Sequence, residues 1–508
     1  MNRRDMFRGL GTGFVAAGIA GRLPARAAAR SAEPSIYEKI GVRPIINCKG
    51  TFTIISGSLT LPEVKAAMDE ASRHYVHLDE LMDGVGKRLS ELTKAEWGII
   101  TAGCAAAATH ATAACIAGSN PEKMQRLPTD LLGLKDEVVM PRQSRNVYDH
   151  AIRMLGVKMI TPATREEFLA SFSPKTAMLA ILGENLKQHP MQFEEMVEAA
   201  HKHGVPVFVD AAAEPLTIPN TYLTKGADMV AYSGGKSLRG PQCAGVLLGK
   251  KDLLQAAWIN SAPHHAFGRS LKVGKEEIMG MLTAVEMWTK RDHDAEWKQW
   301  ERWLGTFKEK LAGLSGVTTE IEQPEGPSNF APSLKVSWDA EKLGAGAAEV
   351  SEALLSGTPR IIMSGYGNWL SIMPWMMMPG DDKIAAQRLY EVLQNPPRRE
   401  KPPVHPSSAV LTGQWDVHIE YGRGEANHTL WLDEKEGKVV GQHRGEFLTG
   451  DLRGSREGDR VNLRSNHHYQ GTGLNYRFEG TLAEKTMTGT VDLGEYGKAR
   501  FEAKRHWA

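Results

Sequence analysis

Between about residue 36 and residue 396, short apolar runs alternate with longer amphipathic stretches. The runs fall at 97–101 (WGIIT), 137–140 (EVVM), 157–160 (VKMI), 177–182 (AMLAIL), 205–209 (VPVFV), 229–232 (MVAY) and 244–248 (AGVLL). Near-continuous apolar character marks strands covered on both faces, and the intervening amphipathic segments, such as PMQFEEMVEAAHKHG at 190–204, supply the cover. This pattern predicts an α/β fold with a mostly parallel central sheet. The stretch AEWKQWERWLGTFKEKLAGL (295–314) reads as a long helix whose Trp297 and Trp300 are explained by packing. A smaller α/β unit follows over about 316–396. After the proline-rich, charged segment NPPRREKPPVHPSS (395–408) the period changes to two, with frequent glycine turns. Eight short strands there predict a small all-β barrel or sandwich. The expected organisation is a large domain over 36–290, a long helix with the small domain over 291–396, a linker over 397–408 and the all-β domain over 409–508.

The first residues break this pattern. MNRRDMFRGLGTGFVAAGIAGRLPARAAA has paired Arg3 and Arg4, a modestly apolar stretch and an alanine-rich end with Ala-x-Ala options at Ala27 or Ala29. That order predicts a secretory signal over 1–29, and RRDMF resembles a twin-arginine signal. The expected location is periplasmic or extracellular, with no membrane association after signal removal. The chain of 508 residues carries a formal net charge of +1, which argues against a nucleic-acid partner. Cys48, Cys104, Cys115 and Cys243 show no CxxC spacing and read as small buried hydrophobes. His467–His468 does not make a metal site, because neighbouring strand residues face opposite ways, and no metal is expected.

Chemistry concentrates in YSGGKSLRGPQ (232–242). Lys236 comes four residues after an apolar strand, and Asp210 closes another. In an open parallel sheet both emerge at the carboxyl edge, where such folds bind ligands. A lysine that binds an aldehyde and a carboxylate that keeps a pyridine nitrogen protonated fit pyridoxal phosphate. TAGCAAAATHATAAC (101–115) adds a strand end, a glycine turn at Gly103 and a helix start whose free N–H groups suit the cofactor's phosphate. Ser233 can add a hydroxyl.

The stretches RPIINCKGTFTIISGSL, TAGCAAAATHATAA, RNVYDHAIRMLG, PVFVDAAAE, YSGGKSLRGPQCAG and GRSLKVGKEEIMGMLTA resemble the fold-type-I pyridoxal-phosphate enzymes related to selenocysteine synthase. The resemblance is closer to the branch of D-glucosaminate-6-phosphate ammonia lyase and covers about 36–396. It implies Lys236 as the Schiff-base lysine and Asp210 as the pyridinium partner, with Gly103, Cys104 and Ser233 at phosphate-binding positions. It places Gln143 near the residue that stacks on the ring and Asn185 near the one facing the phenolic oxygen. Arg360 is the candidate for a substrate carboxylate, because a guanidinium fork suits that group.

Because the family-like region starts only a few residues after the signal, no tRNA-handling extension like that of selenocysteine synthase is expected; a methionine-rich stretch, LSIMPWMMMPGDD (370–382), and the β-domain are additions. The expected substrate is small and amino-acid-like, and displaced Lys236 is the base for its Cα proton. Loss of a β-substituent would make an ammonia lyase, reprotonation a racemase, and proton storage on the cofactor a transaminase; the resemblance tilts toward elimination. A selenocysteine synthase-like transferase and a non-catalytic exported binding protein are the other readings. In the resembling enzymes a neighbouring chain completes the site, which implies a homodimer or a multiple of one. The segments expected to cross are 47–58, with Asn47 and Lys49, and 264–275, with Arg269 and Lys272. Asn47 is placed on the substrate side, and Arg269 or Lys272 at the partner's cofactor phosphate.

Overall fold

The computed structural model describes residues 34–397 and 403–506. The segment expected to be a secretory signal (1–29) lies outside the described residues, as does part of the linker at 398–402. Among the described residues the first strand is the short β1 (Ile45–Asn47), and a seven-stranded sheet follows. Its strands are β2 (Trp97–Thr101), β3 (Glu137–Val139), β4 (Lys158–Ile160), β5 (Thr176–Leu182), β6 (Val207–Asp210), β7 (Met229–Ser233) and β8 (Gly245–Gly249). They follow the predicted runs to within a residue or two, in the spatial order β2-β8-β7-β6-β5-β3-β4. β4, β3, β5, β6 and β7 run parallel, and β8 is antiparallel to β7 and β2. β2 and β8 are buried at every position, and β5, β6 and β7 at all but their last residue, because helices cover both faces.

The small domain packs β9 (Val317–Glu322), β10 (Ser333–Trp338), β12 (Ser364–Tyr366) and β13 (Trp369–Ile372) into one antiparallel sheet. β11 (Arg360–Ile362) lies outside that sheet and pairs in parallel with β1. The small domain's hydrophobic core takes in Cys48 from the N-terminal segment, so the chain is tied across the domains.

The C-terminal region is a closed barrel, which settles the alternative between barrel and sandwich. β14 (Gly413–Glu420), β15 (Glu425–Lys435), β16 (Lys438–Arg444), β17 (Thr449–Glu457), β18 (Arg460–Tyr469), β19 (Thr472–Leu482), β20 (Thr486–Asp492) and β21 (Lys498–Arg505) run up and down, and β21 closes on β14. Alternate residues fill its interior, and closure leaves no exposed strand edge. No helix of the described residues is long and apolar enough to cross a membrane.

Candidate active site

The carboxyl ends of β2, β6 and β7 bring the central residues together. Asp210 ends β6, and its Oδ1 accepts the Ala212 N–H at 3.0 Å and the Cys104 thiol at 3.3 Å. Burial pushes the Asp210 carboxyl upward; the Ala212 N–H, the Cys104 thiol and the charge of Lys236 pull it back. Burial first, and then the neighbouring carboxylate, hold the Cys104 thiol well above its ordinary value. Cys104 is therefore a protonated donor to Asp210, not a reactive thiolate.

The two glycines before Lys236 have a steric cause. A Cβ at Gly234 would meet Pro241 O at 2.6 Å and Ala244 O at 2.7 Å, and one at Gly235 would meet Gln242 Cα at 2.9 Å. The turn is then pinned from three sides. Gly234 N donates to Ala244 O (2.8 Å), Ser58 N donates to Gly235 O (2.9 Å), and Arg291 donates to Ser237 O (2.8 Å) and Leu238 O (2.7 Å). Lys236 thus sits half-buried on a rigid loop facing Asp210 and Cys104. Ser233 precedes it, with its N–H on Ala212 O at 3.2 Å.

Gly103 has φ 109°, a left-handed value that favours glycine, and caps the fourteen-residue helix Cys104–Ala117. No atom lies within 4 Å of where its Cβ would stand, so the space above the helix start is open. On the other side Gly245 permits close approach: a Cβ there would meet Gly103 C at 2.7 Å and Cys104 N at 2.8 Å. The first amides of the helix lack intrahelical acceptors and carry its positive dipole end. An open anion seat, a buried carboxylate and a half-buried lysine are the donor set that pyridoxal phosphate requires, and the residues present fit it.

Gln143 and Asn185 are brought together, by a contact between side chain and main chain. Asn185 Nδ2 donates to Gln143 O at 2.7 Å, while Gln143 Nε2 donates to Ala163 O at 3.4 Å. Gln143 Oε1 is buried without a partner. Arg360 and Asn47 stand on the paired strands β11 and β1, yet both are engaged with main chain. Arg360 donates to Leu355 O (3.0 Å) and Arg43 O (3.4 Å), and Asn47 closes its own turn onto Lys49 N, Gly50 N and Gly50 O. Arg269 is exposed, and its side chain has no partner among the described residues. Among the described residues none of these three makes a hydrogen bond or ion pair with Lys236, Asp210 or Cys104.

Two features escape a reading of the sequence. Glu214 is buried, takes the Tyr222 hydroxyl at 2.6 Å on Oε2 and leaves Oε1 unpartnered. Burial, with Asp210 and Glu184 nearby, raises its carboxyl to about 7, and Ser237 Oγ donates to its main-chain oxygen at 3.1 Å. The only hint was an acid four residues beyond Asp210 in VDAAAE. The second feature adds to the expected packing, in which Trp300 lies against Trp375 and Met376 and Trp297 against Phe330. Trp297 and Trp300, with Trp288, Trp303, Phe330 and Trp375, line a cavity of about 390 Å³ beside Ser237 and Arg291. Met376 and Met377 of the methionine-rich stretch line the same cavity.

Residues 69–268 match the aminotransferase class-V family. Over 376 residues the chain is 28% identical to D-glucosaminate-6-phosphate ammonia lyase of Salmonella typhimurium, covering 71% of this chain and 99% of that enzyme. It is also 28% identical to 5'-C-glycyluridine monooxygenase-decarboxylase of a Streptomyces species, covering 70% and 92%. Identity to L-seryl-tRNA(Sec) selenium transferase of Moorella thermoacetica is 23%, covering 72% and 85%. A solved structure of D-glucosaminate-6-phosphate ammonia-lyase superposes with a TM-score of 0.64 at 29% identity, covering 71% of this chain and 98% of that one. The pinned lysine, its buried carboxylate and the open helix start thus stand in a matching sequence frame: the chain has the type-I pyridoxal-phosphate-enzyme fold, with an aminotransferase class-V domain over residues 69–268.

Proposed function

We propose that this enzyme acts at the α-carbon of an amino acid or amino-sugar acid, expels a β-substituent and releases ammonia. The observation that carries this reading is the Lys236–Asp210–Cys104 arrangement, on a chain alignable with nearly all of an ammonia lyase. Pyridoxal phosphate, when bound, supplies an electron sink for negative charge at the substrate carbon. Lys236 Nζ would hold the cofactor, and it is the base placed to take the proton from the substrate's Cα. Asp210, held on Oδ1 by Cys104 and Ala212, would keep a proton on the ring nitrogen of the bound cofactor. The amides at the start of the helix Cys104–Ala117 hold the phosphate. The glycine-pinned turn fixes Lys236 so that little is lost in ordering it.

The test is a panel of amino acids and amino-sugar acids, phosphorylated and not, with release of ammonia and a 2-oxo acid followed together. Because a monooxygenase-decarboxylase is equally similar, oxygen uptake is measured alongside. Equimolar ammonia and 2-oxo acid without oxygen uptake is the expected result. Racemised substrate without ammonia would replace the reading.

The site is also proposed to be shared between subunits. Arg269 is exposed and without a side-chain partner among the described residues, next to Gly268, whose missing Cβ would lie 2.5 Å from His110 on the phosphate-side helix. Mixed Lys236→Ala and Arg269→Ala/Lys272→Ala subunits should recover part of the activity in hybrids. Export through the twin-arginine route is proposed from Arg3 and Arg4, and replacing both with lysine should retain the protein in the cytoplasm.

A further inference from the structure

The barrel meets the catalytic body at one place of unusual chemistry. The tip of the hairpin between β18 and β19, Gln470–Gly471, presses on the loop that runs from Arg142 to Asp149. Gln470 Oε1 accepts from Arg145 Nη2 at 2.7 Å. Arg153 stands 5.9 Å from the ring centre of Tyr469. A Cβ on Gly471 would collide with Asn146 O and come within 2.6 Å of Asp149 Oδ2, so only glycine allows this approach.

Beneath the hairpin, Asp149 is 1% exposed and sits between two arginines. Arg145 Nε reaches Oδ2 at 2.6 Å, and Arg153 Nε reaches Oδ1 at 2.8 Å. A buried ion pair of this kind fixes conformation only while water is kept away and every donor is satisfied. Here Gly471 lies over Asp149, and Gln470 takes one of the Arg145 donors. Arg145 divides its guanidinium among Asp149, Thr161 Oγ1 (2.7 Å) and Gln470, joining the loop, the sheet and the barrel.

The same loop leads back to the cofactor side. Asn146 Nδ2 donates to Ser144 O at 2.9 Å, and Ser144 Oγ accepts Leu182 N at 3.0 Å at the end of β5. One residue earlier, Gln143 O seats Asn185. The main chain between Gln143 and Arg145 is therefore held at one end by the cofactor-facing candidate Asn185, and at the other by the barrel.

We propose that the β18–β19 hairpin is a positioning element of the active site. Gln470 and Gly471 hold the Arg142–Asp149 loop in the conformation that seats Asn185, and so set cofactor affinity. This rests on the reading of Asn185 as a cofactor-facing residue. It gives the added domain a role in the chemistry next door, without any catalytic group of its own.

The test uses the full chain with Gly471→Val, Gln470→Ala, Gln470→Glu, Asn185→Ala, and Glu484→Ala at the barrel's far end. Hydrogen exchange of amides 142–149 and the dissociation constant for pyridoxal phosphate, read by absorbance, are measured for each. Gly471→Val should speed exchange in the loop and weaken cofactor binding, each about tenfold, and Gln470→Ala about threefold. Gln470→Glu, which keeps the acceptor, should restore both, and Glu484→Ala should change neither. Unchanged loop exchange in Gly471→Val and Gln470→Ala would overturn the proposal, and so would faster exchange with unchanged affinity. If Asn185→Ala leaves affinity unaltered while Gly471→Val weakens it, the hairpin's role stands and the reading of Asn185 falls.

Discussion

Asp210 and Arg360 both place a charge at the end of a short strand, yet their surroundings use those charges in opposite ways. Asp210 is enclosed, steadied on one oxygen by a thiol and an amide, and opposed by Lys236. Its second oxygen makes no hydrogen bond within the described chain. Arg360 spends its guanidinium on the carbonyls of Leu355 and Arg43, and so fastens β11 to the segment before β1. Preorganisation on the cofactor side leaves a charge available to a ligand; on the small-domain side it consumes one. On the cofactor side Lys236, Asp210 and Cys104 come together at the carboxyl edge of the sheet, while the substrate-side candidates Arg360 and Asn47 are tied to main chain.

Removing Lys236 gives the largest effect expected from this contrast. Lys236→Ala should lower activity by about 10³-fold or more, since covalent attachment and the base for Cα are lost together. Borohydride should no longer fix cofactor to the chain, while the thermal midpoint stays close to that of the parent. Cofactor fixed at another lysine would overturn the assignment.

Asp210→Asn keeps the shape and loses the charge. Activity is expected to fall on the order of 10²-fold, with a changed absorbance of bound cofactor. The neighbouring Cys104 supplies the sharper reading. Its thiol is held up in part by the carboxylate, so its reaction with a thiol reagent at alkaline pH should become easier in Asp210→Asn. An unaltered Cys104 titration would show that burial alone governs it.

These two residues were legible because the causes are local. Two glycines, a lysine and a strand end lie within a few residues of one another, and steric need at Gly234 and Gly235 leaves a mark in the sequence. The apolar runs gave the seven strands for the same reason: burial on both faces removes alternation. The rest depends on distant partners. Nothing near Glu214 in the sequence announces that Tyr222 will bond it or that Gly183 will open the space for it. Barrel closure depends on β14 meeting β21, with Trp415 opposite Arg505. The tryptophans of the long helix form a cavity wall only because Trp288, Phe330 and Trp375 arrive from elsewhere. His467 and His468 face opposite ways as expected, but His467 joins His428 and His443 from two other strands.

Arg360 tests the small-domain side of the comparison, with a more moderate effect. Arg360→Ala should cost about 2–3 kcal/mol of stability through two carbonyls that lose a charged donor, and should leave KM nearly unchanged. Arg360→Lys should restore little, because one ammonium cannot span both acceptors. A tenfold rise in KM without a fall in thermal midpoint would return Arg360 to the substrate carboxylate.

The smallest effect concerns titratable groups buried in the barrel, away from the Lys236 site. In the barrel interior His428 Nδ1 lies 2.8 Å from His443 Nε2, and His443 Nδ1 lies 2.6 Å from Ser465 Oγ. Burial lowers His428 to about 4 and His443 to about 2, with the neighbouring imidazoles adding to the shift. In the unfolded chain both return to about 6.5. Between those values the unfolded state binds more protons, so stability falls as pH drops below about 6.5 and recovers above it. At about pH 5 the loss is about 2 kcal/mol for each buried imidazole. His443→Gln keeps groups that can bond Ser465 and His428 but cannot titrate. Its unfolding free energy should therefore fall less than the parent's between about pH 7 and about pH 5, by about 2 kcal/mol, when followed by denaturant melts of the full chain. Equal losses in parent and variant would mean that His443 is protonated in the folded barrel, and that its hydrogen bonds rearrange to accept the charge.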